Sequence, residues 1–280
     1  MSATQASSRL KVAAVQTVSG CDAAANLQRG LELARQAAAG GARLILLPEY
    51  FCLMGRQESD KVAIREADGE GQMQAALAAF AAEVKVWLLA GTIPLAVPDP
   101  AKVANTVLVY GPDGKRHARY DKIHLFRYAS GREEYDEART ISAGDTPVVA
   151  EVDADGARYR VGLSVCYDLR FPELYRAMGA DKPLDLIMVP AAFTYGTGKV
   201  HWEILLRARA IENQCYVLAS AQGGTHENGR RTWGHSMLID PWGEIVAQLP
   251  EGEGLVAGEI DTARTADIRA KLPALEHRVL

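Results

Sequence analysis

Cysteine is scarce in this chain. Its four thiols, Cys21, Cys52, Cys166 and Cys215, stand far apart with no C-x-x-C pair. That spacing excludes a disulfide framework and a zinc ribbon, and makes a reducing cytoplasm the expected setting. Blocks of one charge are missing too. Lys and Arg number 31 against 35 Asp and Glu, a net charge of −4, with no run of five like charges. Neither a nucleic-acid backbone nor an anionic membrane surface is therefore an expected partner. The most apolar stretch, residues 75–90, is interrupted by Glu83 and Lys85 and is too short to span a bilayer. No positive-then-apolar leader opens the chain, and the polar residues 1–9 read as a frayed tail.

The rest is ordinary globular material: 280 residues, 48% hydrophobic and 24% charged, enough for a large core and suited to a small-molecule task. Apolar runs at residues 12–16, 44–47 and 86–92 have the length and content of buried strands. Between them, residues 26–39 and 71–85 carry helical spacing. Asn26 stands where an N-cap belongs, and Gly40-Gly41 terminates the first helix. Gly111-Pro-Asp-Gly114 marks a hairpin between strands at 105–110 and 115–120.

The same order returns after residue 160. A strand at 161–165, a helix opened by Pro172, a strand at 186–189 and a helix at 202–213 are followed by strands at 216–221, 235–240 and 244–248. The second helix has an apolar set at Ile204, Leu205, Ala208 and Ile211. Leu44-Ile-Leu-Leu-Pro-Glu49 answers Leu186-Ile-Met-Val-Pro-Ala191, and the turn before Gly114 answers Pro241-Trp-Gly243. Two βαβαβββ halves hide both faces of their sheets by stacking sheet on sheet with helices outside. The expected fold is therefore an α/β, four-layer α-β-β-α sandwich with an internal pseudo-two-fold repeat. No Pro/Gly/Ser-rich linker separates the halves, so residues 1–280 read as one domain, with a helix at 262–272 and a tail over 273–280.

Chemistry-bearing residues collect at the ends of these strands. Glu49 follows Pro48, Cys166 follows the strand at 161–165, and Lys122 follows the strand at 115–120. Taken singly, each has a bland reading: a surface acid, an inert buried thiol, a solvated ammonium. Together they supply a nucleophile, a base for its proton and a cation for an oxyanion. Competing arrangements are weaker. Gly162-Leu-Ser-Val-Cys166 lacks the final glycine of a serine nucleophile elbow, which makes Ser164 a strand residue. His117, His124, His201, His226, His235 and His277 form no H-x-x-x-H pair, so no metal is expected. Gly69-Glu-Gly71 and Gly223-Gly224 lack the context of a phosphate cradle. Trp202, Trp233 and Trp242 read as core or pocket wall.

Three segments, Leu47-Pro-Glu-Tyr50, Tyr120-Asp-Lys-Ile-His-Leu-Phe126 and Gly162-Leu-Ser-Val-Cys-Tyr-Asp-Leu-Arg-Phe-Pro-Glu-Leu-Tyr175, resemble the signatures of the nitrilase, or carbon-nitrogen hydrolase, superfamily. The resemblance runs from about Val12 to Leu272. It implies the sandwich fold, a Glu49-Lys122-Cys166 triad, no cofactor and assembly as a homodimer. It also implies an accessory acid, matched by Glu137, with Glu133 and Glu134 as neighbouring alternatives. Ala192-Phe-Thr194, His201-Trp-Glu203 and residues 207–216 are most similar to the amidase branch that includes deaminated glutathione amidase and omega-amidase. Cys166 is followed by Tyr167-Asp168 where nitrilases usually carry Trp-Glu, so nitrile hydrolysis is a secondary reading and a silent scaffold a third. On this likeness the substrate is a small amide bearing a carboxylate, hydrolysed to acid and ammonia through a thioester. Glu49 would serve as base, with Lys122 and the Tyr167 backbone N–H on the oxyanion. Arg170 is either the carboxylate's partner or a structural ion pair with Asp168 or Glu173. Phe193 and Tyr195 follow the repeat's equivalent of the Glu49 strand, and are expected on the opposite pocket wall.

Overall fold

The computed structural model describes residues 8–131 and 133–279. In the first half, strand β1 (Arg9–Gln16), helix α1 (Ala23–Ala39) and β2 (Leu44–Leu46) lead to α2 (Asp60–Ala63), α3 (Gln72–Val84) and β3 (Trp87–Ala96). Strands β4 (Val103–Tyr110), β5 (Arg116–Asp121), β6 (Arg127–Ser130) and β7 (Glu133–Asp136) complete it. The second half runs β8 (Val149–Ala154), β9 (Ala157–Leu163), α4 (Pro172–Met178), β10 (Leu186–Ala191), α5 (Tyr195–Asn213) and β11 (Tyr216–Ala221). It ends with β12 (Gly223–Thr225), β13 (Arg231–Trp233), β14 (Ser236–Ile239), β15 (Ile245–Leu249), β16 (Gly254–Asp261) and α6 (Thr262–Lys271).

Two six-stranded sheets have the orders β16-β1-β2-β3-β4-β5 and β15-β14-β11-β10-β9-β8. Strands β1, β2 and β3 pair parallel, as do β9, β10 and β11, and each trio is extended by two antiparallel strands. The repeat read from the sequence is thus a repeat of topology. The edge strands, β16 and β8, follow the same rule: β8 pairs antiparallel with β9, and β16 pairs antiparallel with β1.

Side-chain alternation builds the layers. Val12, Ala14, Leu44 and Leu46 point into the core between the sheets, while Ala13, Val15 and Ile45 meet Leu33, Leu77 and Phe80 beneath α1 and α3. Leu174 and Met178 of α4 and Trp202, Leu206 and Ala210 of α5 cover the second sheet. The result is the four-layer α-β-β-α sandwich.

Several local expectations are corrected. Asp22, not Asn26, caps α1, its carboxylate accepting from the N–H groups of Ala24 and Ala25 at 2.9 and 3.1 Å. Asn26 instead ties α1 to the loops at Gly20 and Cys52. Helix α5 begins at Tyr195, seven residues earlier than its apolar pattern. A side chain at Gly198 would collide with Trp233, so packing rather than propensity selects that glycine within the first turn of α5. The apolar set also names the wrong face: Ile204 is 70% exposed and Ile211 is exposed, whereas Trp202, Leu206, Arg209 and Ala210 are buried. Trp242 is likewise on the surface. Of the expected tail, Arg9 already belongs to β1, paired with Asp261, Ser8 donates its N–H to Thr262 Oγ1 at 2.9 Å, and residues 1–7 lie outside the described residues, as does Leu280.

Replacing fully buried Leu206 with Ala removes packing beneath α5 and is expected to cost about 2–5 kcal/mol, against less than about 0.5 kcal/mol for Ala at exposed Glu203. Urea unfolding curves with unchanged slope are the measurement. Equal effects at both positions would contradict the face assigned to α5.

Candidate active site

Glu49 lies beyond β2, Lys122 immediately beyond β5 and Cys166 beyond β9, and their side chains converge. Both oxygens of Glu49 are held. Oε1 accepts from Lys122 Nζ and from Asn105 Nδ2, each at 2.9 Å, and Oε2 accepts from the backbone N–H of Ala192 at 2.8 Å. Ala192 follows β10, the counterpart of β2, so the end of one half of the repeat positions the acid of the other. The Cys166 thiol shares this buried cluster, near enough for the Glu49 charge to act on it.

Lys122 is fully buried between two carboxylates, with Nζ 2.9 Å from Glu49 Oε1 and 2.8 Å from Glu137 Oε2. Glu137 also accepts from Tyr50 Oη at 2.9 Å and from the Phe126 N–H at 2.7 Å. Burial alone would lower the Lys122 pKa, but attraction to Glu137 and Glu49 outweighs it and raises the value, keeping the ammonium charged. Burial alone would raise Glu137, and Lys122 reverses that effect, holding the carboxyl below its ordinary range. Cys166 goes the other way. Burial and then the Glu49 charge push the thiol well above its usual value, against the opposing pull of Lys122. The resting sulfur is thus a neutral thiol beside an acceptor, and gains nucleophilicity only as its proton leaves.

The elbow that presents Cys166 is strained. Its φ is +49°, in a region costly for a side chain with a Cβ, and the chain then enters a 3-10 turn over Cys166–Arg170. Fully buried Asp168 holds this turn. Its carboxylate accepts from the Val165 N–H at 2.9 Å, Tyr120 Oη at 2.7 Å and the His124 N–H at 3.0 Å, and lies 2.7 Å from His124 Nδ1. Tyr120 and His124 flank Lys122 by two residues on either side, so one carboxylate joins the Lys122 segment to the Cys166 elbow. Ser164 points elsewhere, donating to the Met188 carbonyl at 2.7 Å.

A narrow chamber opens on these groups, walled by Phe126, Tyr167, Phe193, Thr194 and Thr197 and bordered by Arg170 and Arg230. Tyr167, Arg170, Phe193 and Glu137 therefore reach the chamber. Tyr195 does not: its ring packs edge-on against Trp233 at 5.0 Å and beneath Arg231 at 3.6 Å, because α5 has already begun and turns residue 195 away. Among the described residues Arg170 makes no ion pair. Asp168 is occupied by the elbow, and the Arg170 guanidinium rests over Tyr167 and Phe193 at 5.7 and 5.2 Å. Of the alternative acids, Glu134 pairs on the surface with Arg139 at 2.6 Å, and the side chain of Glu133 is outside the described residues. Among the described residues, no cluster of three or more His, Cys, Asp or Glu is arranged to hold a metal.

Sequence reasoning missed Asn105, Tyr50, Asp168 and Arg230. Asn105 carried a signal, since a lone amide in an otherwise apolar buried strand requires a partner. Arg230, in a polar turn, carried none.

A profile of the carbon-nitrogen hydrolase family matches residues 11–270. The chain belongs to this family. It is 43% identical over 270 residues to a deaminated glutathione amidase of Synechocystis sp. (strain PCC 6803 / GT-S), covering 95% of this chain and 97% of that protein. Against Homo sapiens omega-amidase NIT2 the identity is 35% over 254 residues, 90% and 89% of the two chains. The crystal structure of Saccharomyces cerevisiae Nit3, a member of branch 10 of the nitrilase superfamily, superposes with a TM-score of 0.87 at 30% identity and full coverage of both chains. This carbon-nitrogen hydrolase acts on carbon–nitrogen bonds other than peptide bonds.

Because the Glu49 charge adds to burial in raising the thiol's pKa, Glu49→Gln is expected to move the alkaline midpoint of Cys166 alkylation to lower pH. Iodoacetamide labelling followed by mass spectrometry of the Cys166 peptide across a pH series measures it and separates this site from Cys52 and Cys215, whose burial pushes both up to about 12. An unmoved midpoint would remove Glu49 as the governing neighbour.

Proposed function

We propose that this carbon-nitrogen hydrolase is a cysteine-dependent amidase whose substrate is a small amide bearing a carboxylate, as in its deaminated glutathione amidase and omega-amidase relatives. The observation that carries the reading is the buried Lys122 ammonium, fixed between Glu49 and Glu137, with both carboxylates and the Cys166 thiol lining one chamber.

As Cys166 Sγ bonds to the amide carbonyl carbon, Glu49 takes the thiol proton and the carbonyl electron pair moves onto oxygen. The Lys122 ammonium and the Tyr167 backbone N–H stabilise that oxyanion. Collapse breaks the carbon–nitrogen bond, Glu49 passes its proton to the departing nitrogen, and ammonia leaves a thioester behind. Water, losing a proton to Glu49, then attacks the thioester. The carbon–sulfur bond breaks, the proton returns to sulfur, and the acid is released. Glu137 does no proton transfer in this scheme: it holds Lys122 aimed at the oxyanion. Arg170, with no ion pair among the described residues and its guanidinium over two rings, is suited to bidentate capture of the substrate carboxylate.

Residues 1–280 act in this reading as one catalytic domain, with the pseudo-two-fold halves contributing one wall each. A homodimer in the cytoplasm is part of the same proposal. The exposed Val200, Ile204 and Ile211 on α5 suit burial against a second copy, and four free thiols suit a reducing compartment.

The decisive experiment incubates the protein with ω-monoamides of dicarboxylates, the matching nitriles and short N-acyl peptides, reading ammonia or amine release and the mass of acylated Cys166. Amides are expected to acylate Cys166 and to turn over faster than their nitriles. Cys166→Ala should abolish release, and Glu49→Gln should lower kcat by about 100- to 10,000-fold. No adduct and no product from any amide would leave a binding or scaffold protein instead.

A further inference from the structure

Helix α5 grips the Cys166 turn. Arg209, buried with Trp202 and Leu206 on the inner face of α5, directs Nε and Nη2 at one acceptor, the carbonyl oxygen of Leu169, at 3.0 and 2.7 Å. Its remaining terminal nitrogen donates to Glu212 at 2.8 Å, and the guanidinium lies 5.5 Å from the centre of the Tyr175 ring. Withdrawing a guanidinium from water is unfavourable, and a position that only filled space would be better served by an apolar side chain of similar volume. This one instead holds a cation whose fork closes on a backbone oxygen 40 residues away in the sequence.

That oxygen stands at one end of the short turn over Cys166–Arg170, and buried ions of opposite sign hold the two ends. At the start, the Asp168 carboxylate accepts from the Val165 N–H at 2.9 Å. At the end, the Arg209 guanidinium donates to the Leu169 carbonyl. Each charge faces the pole it complements, since free N–H groups gather where a helical turn starts and free carbonyls where it stops. Asp168 thereby secures the Cys166 end. The residue at the Arg209 end is Arg170.

The Leu169 oxygen and the Arg170 nitrogen belong to one planar peptide unit, so fixing the first sets the point from which residue 170 departs. Beyond it, the Arg170 guanidinium lies over Tyr167 and Phe193, with Nη1 3.4 Å from Nδ1 of His201. His201 and Arg209 occupy one face of α5, rather more than two turns apart. One helix therefore meets Arg170 at its backbone and at its side chain. Bidentate pairing with a carboxylate tolerates little rotation, so the aim of Arg170 depends on that hold.

We infer that Arg209 is a positioning residue: by holding the Leu169–Arg170 peptide it aims Arg170 at the substrate carboxylate, and so contributes to the choice of anionic over neutral amides. The inference rests on the amidase reading above and on the carboxylate role given there to Arg170.

The monoamide and the diamide of one dicarboxylate test it, being nearly identical in shape and differing by one charge. Wild-type kcat/KM is expected to favour the monoamide by about tenfold or more, chiefly through KM. Arg170→Gln should bring that ratio to about one. Arg209→Gln should lower it about three- to tenfold, again through the monoamide KM, and Arg209→Lys, which keeps a buried cation without the fork, should lower it less. In the Arg170→Gln background, Arg209→Gln should change the ratio by less than about twofold, because a residue acting through Arg170 has no further effect once Arg170 is gone. Urea unfolding establishes that each variant is folded, and where Arg209→Gln is not, the Arg209→Lys ratio decides. Iodoacetamide labelling of Cys166 reports whether the elbow itself has moved. A ratio that survives both Arg209 variants, losses that multiply in the double variant, or equal losses of labelling and of both amides overturns the positioning role. A wild-type ratio near one removes the carboxylate role of Arg170 and this inference with it, while amide turnover keeps the amidase reading intact. Failure of both amides to acylate Cys166 overturns the amidase reading itself.

Discussion

A lysine ammonium withdrawn from water sits between two carboxylates, and most of the site follows from that constraint. Desolvating an ammonium costs several kcal/mol, recovered only when its geometry and hydrogen bonds are complete. Lys122 meets the condition with Glu49 on one side and Glu137 on the other, while Tyr50, Phe126, Asn105 and Ala192 supply further donors to the carboxylate oxygens. Any one of the three charges without the others would be an uncompensated ion in a dry interior. The cluster therefore assembles as a unit, and it draws together the ends of β2 and β5 and the segment after β7.

The same cluster sets the state of the sulfur. Burial, with the Glu49 charge added to it, outweighs the pull of Lys122, so the thiol keeps its proton until a carbonyl is there to receive the sulfur. A cysteine poised in this manner is less exposed to oxidation and stray alkylation than a standing thiolate. The cost is that one acid and base must lie within hydrogen-bonding reach, which explains why both oxygens of Glu49 are tied. Asp168 performs the corresponding service for the backbone, holding a positive-φ elbow and the Lys122 segment by a single buried carboxylate.

Pseudo-symmetry gives this arrangement its scaffold. Parallel trios β1-β2-β3 and β9-β10-β11 expose equivalent strand ends, and stacking the sheets brings the ends of β2, β9 and β10 together. Only one half of the repeat carries each reactive residue: Glu49 has Ala191 as its sequence counterpart, and the adjacent Ala192 contributes just an N–H. Duplicated architecture with unduplicated chemistry leaves the second half free to supply Phe193, Thr194 and Thr197 as pocket wall.

Hydrophobic periodicity, turn residues and the echo of Leu44-Ile-Leu-Leu-Pro-Glu49 in Leu186-Ile-Met-Val-Pro-Ala191 by themselves determined the strand and helix order and the layered stacking, because apolar faces must be buried whatever the details. They also marked Glu49, Lys122 and Cys166, since strand ends are where such residues can meet. What they could not decide depends on contacts between distant segments. Which face of α5 docks rests on Trp202 and Leu206 fitting the second sheet better than Ile204 and Ile211. Where α5 begins rests on Gly198 lying against Trp233, and that same early start turns Tyr195 out of the chamber. The Asp168 tie exists only once segments more than forty residues apart are packed together, because its hydrogen bonds find their partners in three dimensions.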